Sequence, residues 1–309
     1  MPSTTHQRYV TAVPVYKASP TKTEALSLLQ LRLLEVENVT LVCPEGLDIQ
    51  SYLDLWPDLQ VQRYAAEHFV SVQSYNDLVI SSTFYLPFAN QYEYLLIYQL
   101  DAFLLSNQIL AFCDQDYDYY GAPWKIGFPE YRFLLNHWPI RINQKRFHVG
   151  NGGLSLRRIS STLDLLQRTE GHISKTFFME DGFFGYWGSV DRHFHACPAL
   201  TAAHFSLEMD PLYWIEQTGV LPMGFHGFEV WHPDFYNPLL QECYAKLFEV
   251  FPKLEYIKEQ KMTTVNAPKI NVRNSVIECA QSLKKENAGK YHNYGIKDCI
   301  ASIAASKRK

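Results

Sequence analysis

Residues Tyr94–Leu105 (YLLIYQLDAFLL) form the strongest buried-strand candidate in the chain, and only Gln99 and Asp101 break its apolar interior. A run of this kind predicts a strand covered on both faces, as parallel sheets require. The beginning of the chain points the same way. Arg8–Tyr16 (RYVTAVPVY) reads as a first strand that ends or bulges at Pro14. Thr21 and Glu24 have capping-box spacing before a helix in which Leu26, Leu29 and Leu33 recur at helical intervals. A second strand, Asn38–Cys43, closes on the turn residues Pro44, Glu45 and Gly46. Strand, helix and strand with short joints make a βαβ unit, so the chain is expected to be α/β with a mainly parallel sheet.

Further along, a helix is expected over Tyr75–Asn90, with Pro87 near its end. Tyr117–Tyr120 leads into a turn at Gly121-Ala122-Pro123-Trp124 and a Gly/Pro-punctuated loop reaching about Gln144. Phe147–Arg157 carries Gly150-Asn151-Gly152-Gly153 and enters a helix near Ser160–Thr169. Asn237 is a good N-cap and Pro238 fits the first helical position. Leu240, Tyr244, Leu247, Phe248 and Phe251 then form an apolar stripe that would pack on the main domain. Beyond Pro252 the chain is polar and basic, with a short helix expected at Ser275–Glu286. The expected division is a main domain over 1–236 and a helical, basic extension over 237–309. There is no internal repeat and no low-complexity tract.

A chain of 309 residues that is 47% hydrophobic can bury a substantial core. Its net charge of -4 does not suggest nucleic-acid binding by the chain as a whole. The charge is uneven: from Pro252 to Lys309 twelve Lys and Arg face five Asp and Glu, leaving +7 there and -11 elsewhere. The basic terminus is either an ordinary solvated surface or a peripheral contact with anionic lipid. The six cysteines are widely spaced with no CxxC pair, and no signal peptide or membrane-spanning run is visible. Free thiols and a cytoplasmic location are therefore expected, with a peripheral position at the inner membrane surface as the alternative.

Four features carry chemistry. Asp101 is expensive to bury without a partner. At the C-terminal edge of a parallel strand it would face the crevice where open α/β sheets bind ligands. A divalent cation on a diphosphate would supply the missing charge, although a structural Asp held by backbone amides fits the position equally. The Gly150–Gly153 loop lets backbone approach a ligand closely, but a tight turn before a strand looks the same, and no Walker lysine follows. Glu180-Asp181, set among aromatics and glycines, suggests a partly desolvated carboxylate at a helix start, where Asp181 acts as general base or as a plain cap. His226, between Gly224 and Gly227, is either a metal ligand or structural. Asp114, Asp116 and Asp118 match Asp-x-Asp literally but read as a solvated turn. Asp191, His193 and His195 would chelate zinc only with ligands that the sequence does not make obvious.

The order of Tyr98-Gln99-Leu100-Asp101-Ala102, Tyr119-Tyr120-Gly121-Ala122-Pro123-Trp124, Gly150-Asn151-Gly152-Gly153-Leu154-Ser155, Glu180-Asp181 and Gly224-Phe225-His226-Gly227 resembles GT-A glycosyltransferases. More closely, it resembles a bacterial glycosyltransferase family long described as a domain of unknown function, over residues 8 to 232. The resemblance implies a GT-A, Rossmann-like mixed sheet, mainly parallel and flanked by helices, with a C-terminal helical appendage. It implies a nucleotide-sugar donor, a UDP-sugar being favoured, and a glycan or glycolipid acceptor of polysaccharide biosynthesis. Val13, Tyr16 and Lys17 would border the nucleotide. Gln99, Asp101, Gly152 and Gly153 would line the donor, and Asp101 and His226 would hold Mn2+ or Mg2+. Asp181 would deprotonate the acceptor in an inverting displacement, with Glu180, Trp124 and Trp187 beside the acceptor and Lys17 or Arg157 assisting the leaving diphosphate. Gln99 departs from the family pattern, which has an acid there, so the metal requirement is open. The alternatives are a non-catalytic nucleotide-sugar or glycan-binding module, or a metal-dependent hydrolase centred on His193, His195 and His226.

Overall fold

The computed structural model of the chain describes residues 7–134, 138–170 and 179–252, with 129–134 and 138–145 described by backbone alone. Strand β1 (Gln7–Pro14) ends at its proline, as expected of a residue with no N–H to give the ladder. Helix α1 (Lys22–Leu33) opens on the expected capping box. Thr21 Oγ1 accepts from the Glu24 amide at 3.2 Å, and Glu24 Oε2 accepts from the Thr21 amide at 2.8 Å. This helix is buried continuously from Ala25 to Leu31, Ser27 and Gln30 included, because it is packed on two sides. Leu28 and Leu31 join the core of the large sheet, whereas Ala25, Leu26 and Leu29 join a second apolar cluster.

After α1 come β2 (Val39–Pro44), α2 (Gln50–Leu55), β3 (Gln60–Tyr64), α3 (Val72–Val79), α4 (Ser82–Tyr85) and β4 (Tyr92–Tyr98). With β6 (Tyr119–Leu134) and β7 (Trp138–Arg158) from further along the chain, the sheet runs β3-β2-β1-β4-β7-β6, parallel through β4 and antiparallel beyond it. It is the mixed, mainly parallel, helix-flanked sheet expected of a GT-A-type fold.

Four elements differ from the sequence expectation. First, β4 stops at Tyr98, the chain turns through Gln99–Asp101, and β5 (Ala102–Leu104) joins a separate sheet ordered β5-β9-β8. The large sheet ends where the run's two polar residues begin. Second, the helix expected over 75–90 is two short ones. Ser81 turns its hydroxyl onto the Leu78 carbonyl at 2.7 Å and so satisfies the end of α3. Third, the Gly/Pro-rich segment is not a loop but a long hairpin, β6 (Tyr119–Leu134) and β7 (Trp138–Arg158). Register shifts around Ala122–Pro123 and Pro129 accommodate its prolines.

The fourth difference concerns the last described helix. Beyond α5 (Ile109–Cys113) and α6 (Ile159–Arg168) lie α7 (Glu180–Val190), α8 (Ala199–Phe205), β8 (Ser206–Leu207), α9 (Pro211–Thr218), β9 (Gly224–His226) and α10 (Pro233–Val250). Helix α10 is capped by His232 with Pro233 at its first turn, so Asn237 is not its cap and Pro238 lies inside it. His232 is left-handed (φ 52°), which turns the chain just before Pro233 presets the helical φ. The expected stripe does pack: Leu240 and Leu247 are buried beside Phe103, Phe225 and Tyr236 in the second cluster, against the other face of α1. Cys43, Cys113 and Cys197 are buried free thiols. Among the described residues no helix is long and apolar enough to cross a membrane. The basic terminus and the helix expected at Ser275–Glu286 lie outside the described residues.

Candidate active site

Two strand registers assemble the site at the C-terminal end of β4. The β4–β7 ladder sets Tyr98 opposite Leu154, so Gly153 meets Gln99, whose amide donates to the Gly153 carbonyl at 2.9 Å. The β5–β9 ladder pairs Ala102 with His226, and the Gly227 amide donates to the Asp101 carbonyl at 3.0 Å. The turn at 99–101 therefore has the glycine segment on one side and His226 on the other. His226 Nε2 lies 3.1 Å from Asp101 Oδ1 and 3.3 Å from Gln99 Oε1. Strand β8, parallel to β9, brings Glu208 to the opposite edge of the ring, with Oε1 3.4 Å from His226 Nδ1. Asn151 Nδ2 donates to Glu208 Oε2, and Asn151 Oδ1 accepts from the Gly153 amide at 3.3 Å.

The facing wall is the start of α7. Met179 is its N-cap, so Asp181 is not a cap. Its Oδ1 instead accepts from the Gly152 amide at 2.7 Å. Glu180 is buried and accepts from Arg157 Nη2. Arg157 is fully buried, donates to Tyr85 Oη at 2.8 Å, and stacks 4.3 Å from the Phe184 ring. The two glycines are required by close approach. A β-carbon on Gly152 would overlap the Glu180 and Asp181 carboxylates, and one on Gly153 would overlap the His226 ring.

This crowding of charge sets the proton affinities. Burial pushes the partly exposed Asp181 carboxyl up to about 8, helped by the charges of Glu180 and Glu208 and opposed by His226 and the Gly152 amide. Burial works against a charged His226, but Asp101 and Glu208 override it and raise the imidazole to about 10. Burial tends to raise the Asp101 carboxyl too, yet the charge and hydrogen bond of His226 hold it below its ordinary value. The Asp101 side chain is 46% exposed, so it opens onto the cleft instead of being enclosed.

The donor atoms around His226 Nε2 suit a divalent cation. Their separations of 3.1 and 3.3 Å are close to the ~3.0 Å edge of an octahedral shell with bonds of roughly 2.1 Å. Among the described residues no three His, Cys, Asp or Glu side chains form a metal-ligand group. A cation here would need phosphate or water oxygens to complete its shell, as Mg2+ ordinarily does. His226 would also have to be deprotonated at Nε2.

The remaining expected residues are distributed unevenly. Val13 is fully buried in the core of the sheet, so its side chain does not border the cleft. Tyr16 is exposed, and Lys17 pairs with Glu24 at 2.7 Å. Glu180 is committed to Arg157, which removes both from a direct surface role and corrects the assignment of Arg157 to the leaving group. Trp124 packs beside Gly150, Phe128 and Phe147, and Trp187 beside Phe183 and Tyr186; both are partly exposed. Asp114 and Asp116 are solvated and pair with Arg8 and Arg158. Asp118 is buried and accepts from the His195 amide at 2.8 Å. Asp191 binds Arg168, and with no metal-ligand trio among the described residues, His193 and His195 do not build a zinc site. The sequence marks Asn151 only as part of the glycine loop, and it does not mark Glu208. Glu208 lies in FSLEMD, two residues before Asp210; its partners lie 18 and 57 positions away, and no local pattern signals it.

An acid-rich cleft at the carboxyl end of a mainly parallel sheet defines an open-sheet α/β protein with a candidate site where such sheets place ligands. Residues 58–226, more than half of the chain, match the family described as "Protein of unknown function (DUF5672)", and the chain belongs to that family. No curated protein sequence matches it. Similar solved structures include mouse xyloside xylosyltransferase 1 in its apo form, 14% identical, with a TM-score of 0.43 over 72% of this chain and 98% of that one. Galactosyltransferase LgtC in complex with donor and acceptor sugar analogues is 10% identical, with a TM-score of 0.46 over 83% and 97%. The 4-diphosphocytidyl-2C-methyl-D-erythritol synthase from Anaerococcus prevotii is 8% identical, with a TM-score of 0.37 over 62% and 88%.

Proposed function

We propose that the chain is an inverting glycosyltransferase that moves a sugar from a nucleotide-sugar donor, a UDP-sugar being favoured, to a hydroxyl of a glycan or glycolipid. The observation that carries this reading is the pair of walls at the end of β4. Asp101 and His226 stand 3.1 Å apart on one wall, and Asp181 is tied by Gly152 on the other. The first wall suits a diphosphate and the second suits a hydroxyl that must lose its proton.

Asp181 acts as the base. The acceptor hydroxyl gives its proton to the Asp181 carboxylate while its oxygen bonds to the anomeric carbon. The bond from that carbon to the diphosphate breaks, and its electron pair leaves with the nucleoside diphosphate. A carboxyl raised to about 8 by burial and its acidic neighbours has the basicity this step requires near neutral pH. The Gly152 amide fixes one oxygen of the base, and the missing β-carbons of Gly152 and Gly153 let the Glu180 and Asp181 carboxylates and the His226 ring close on the backbone. Asp101 and His226, with Gln99 beside them, would hold Mn2+ or Mg2+, which supplies positive charge to the departing diphosphate. Tyr16 and Lys17, at the exit of β1, border the nucleotide. Trp124 and Trp187 offer aromatic faces to the acceptor. The basic segment after Pro252 would hold the protein against an anionic membrane surface on the cytoplasmic side.

The reading is tested by incubating the full chain with a panel of nucleotide sugars, with and without Mn2+, and following thermal stability and nucleotide release. A nucleotide sugar that raises stability and releases its nucleotide in the presence of acceptor is expected. Stabilisation without turnover over a broad acceptor panel would instead mark a binding module. No response to any nucleotide or nucleotide sugar would overturn the reading.

A further inference from the structure

The proposed reaction gives Glu208 no task, yet the fold secures this residue from several directions. It is 8% exposed, its Oε2 accepts from Asn151, and its carbonyl accepts from Tyr236 Oη of α10 at 2.9 Å. Its Oε1 faces His226 Nδ1 across 3.4 Å, and that buried ring nitrogen has no aligned hydrogen-bond partner among the described residues. On the other side of the ring, Nε2 meets Asp101 and occupies the space that a β-carbon on Gly153 would take. Holding a carboxylate out of water is unfavourable unless it engages a charged or donating group, so packing alone does not account for an acid here.

The geometry points to Glu208 as a positioning residue that holds the Nδ1–H of His226 and turns Nε2 toward Asp101 and Gln99. Asn151 ties this orientation to the glycine segment, because it donates to Glu208 and accepts from the Gly153 amide. Histidines that present one nitrogen to a ligand commonly have the other fixed by a carboxylate, and losing that partner weakens metal binding about 10–100-fold. The use made of Nε2 rests on the transferase reading; the orientation of the ring does not.

The test reads the ring directly. In full-length protein labelled with 15N-histidine, the His226 signals are assigned by their loss in His226→Gln. The wild type is expected to show an exchange-protected, downfield Nδ1–H. Glu208→Gln, which can still accept through its amide oxygen, is expected to keep that signal. Glu208→Met, of similar volume but with no oxygen, is expected to lose it and to weaken Mn2+ binding about 10–100-fold by electron paramagnetic resonance. A protected Nδ1–H that persists in folded Glu208→Met overturns the assignment. If Glu208→Met does not fold, Glu208→Asp decides, since withdrawing the carboxylate by one methylene must reduce the protection, and unchanged protection overturns the proposal. A wild type that binds no Mn2+, alone or with UDP, counts against Asp101 and His226 as metal ligands, while the Nδ1–H signal still decides the role of Glu208.

Discussion

Gly153 has no room for a β-carbon because the imidazole of His226 occupies the place one would take. The ring has little freedom to retreat, with Asp101 3.1 Å from one nitrogen and Glu208 3.4 Å from the other. Gly153→Ala is therefore expected to lower stability by about 1–3 kcal/mol, the usual cost of an extra buried methyl. It should also move Nε2 away from Asp101. If the cleft is the reaction site, turnover falls about a hundredfold, as for small misplacements of reacting groups. Denaturant unfolding and nucleotide release measure the two effects. A variant that keeps wild-type stability would show that the ring swings aside freely.

Arg157 and Glu180 provide a second test, because both are buried and each is the other's ionic partner. Arg157→Met strands the Glu180 carboxylate, and removing one member of such a pair costs about 3–5 kcal/mol. Arg157→Met combined with Glu180→Gln removes both charges and should recover most of that loss. Urea titrations of the two single variants and the double variant close the cycle. Equal destabilisation in the single Arg157 variant and the double variant would mean that the pair is not what holds the cleft wall.

Much of this was legible where the physics is local. The Thr21–Glu24 capping box lies within four residues and was read in place, as was the end of β1 at Pro14. The paired acids at a helix start, the glycine segment and His226 were also visible, since each departs from its surroundings. What escaped depends on pairing between distant segments. Arg157 reads as an available cation until the β4–β7 register turns it inward onto Glu180, 23 positions away. Residues 94–105 read as one strand with Asp101 toward its C-terminal edge, because nothing in YLLIYQLDAFLL shows that its two halves belong to different sheets. Glu208 becomes significant only through the parallel pairing of β8 with β9.

Asp191, at the end of α7, contributes to the acid side of the stability curve. Burial tends to raise its carboxyl, but hydrogen bonds from Arg168 at 2.6 Å and from the His193 amide at 2.7 Å override this and hold it below its ordinary value. The native state therefore binds fewer protons here than the unfolded chain. Stability from this group is complete above the unfolded value of about 3.9 and is lost as pH falls through the lower folded value. Asp191→Asn should lower the melting temperature at pH 6 and narrow the gap to wild type below pH 3. A gap that stays constant with pH would remove the ionised carboxylate from the explanation.

Asp181 has the opposite linkage, and this separates its chemical role from its structural one. Its folded value of about 8 lies above the unfolded value of about 3.9, so between them the native state binds the extra proton. Stability from this group is present at low pH and declines as pH rises through that window. Asp181→Asn keeps an oxygen to accept from the Gly152 amide at the 2.7 Å contact but no longer ionises. Relative to wild type it should gain stability steadily from pH 5 to pH 9. Catalysis depends on the same ionisation in the other direction, since a general base must be deprotonated. Wild-type kcat/KM should rise with pH to a plateau above about 8, whereas Asp181→Asn should lose about 10²–10⁴-fold of turnover on that plateau, with the deficit shrinking as pH falls below it. A variant more stable than wild type at pH 9, yet inactive with donor still bound, is what a base held against its own folding preference produces. Wild-type turnover in Asp181→Asn would assign the base elsewhere, even if the stability trend holds.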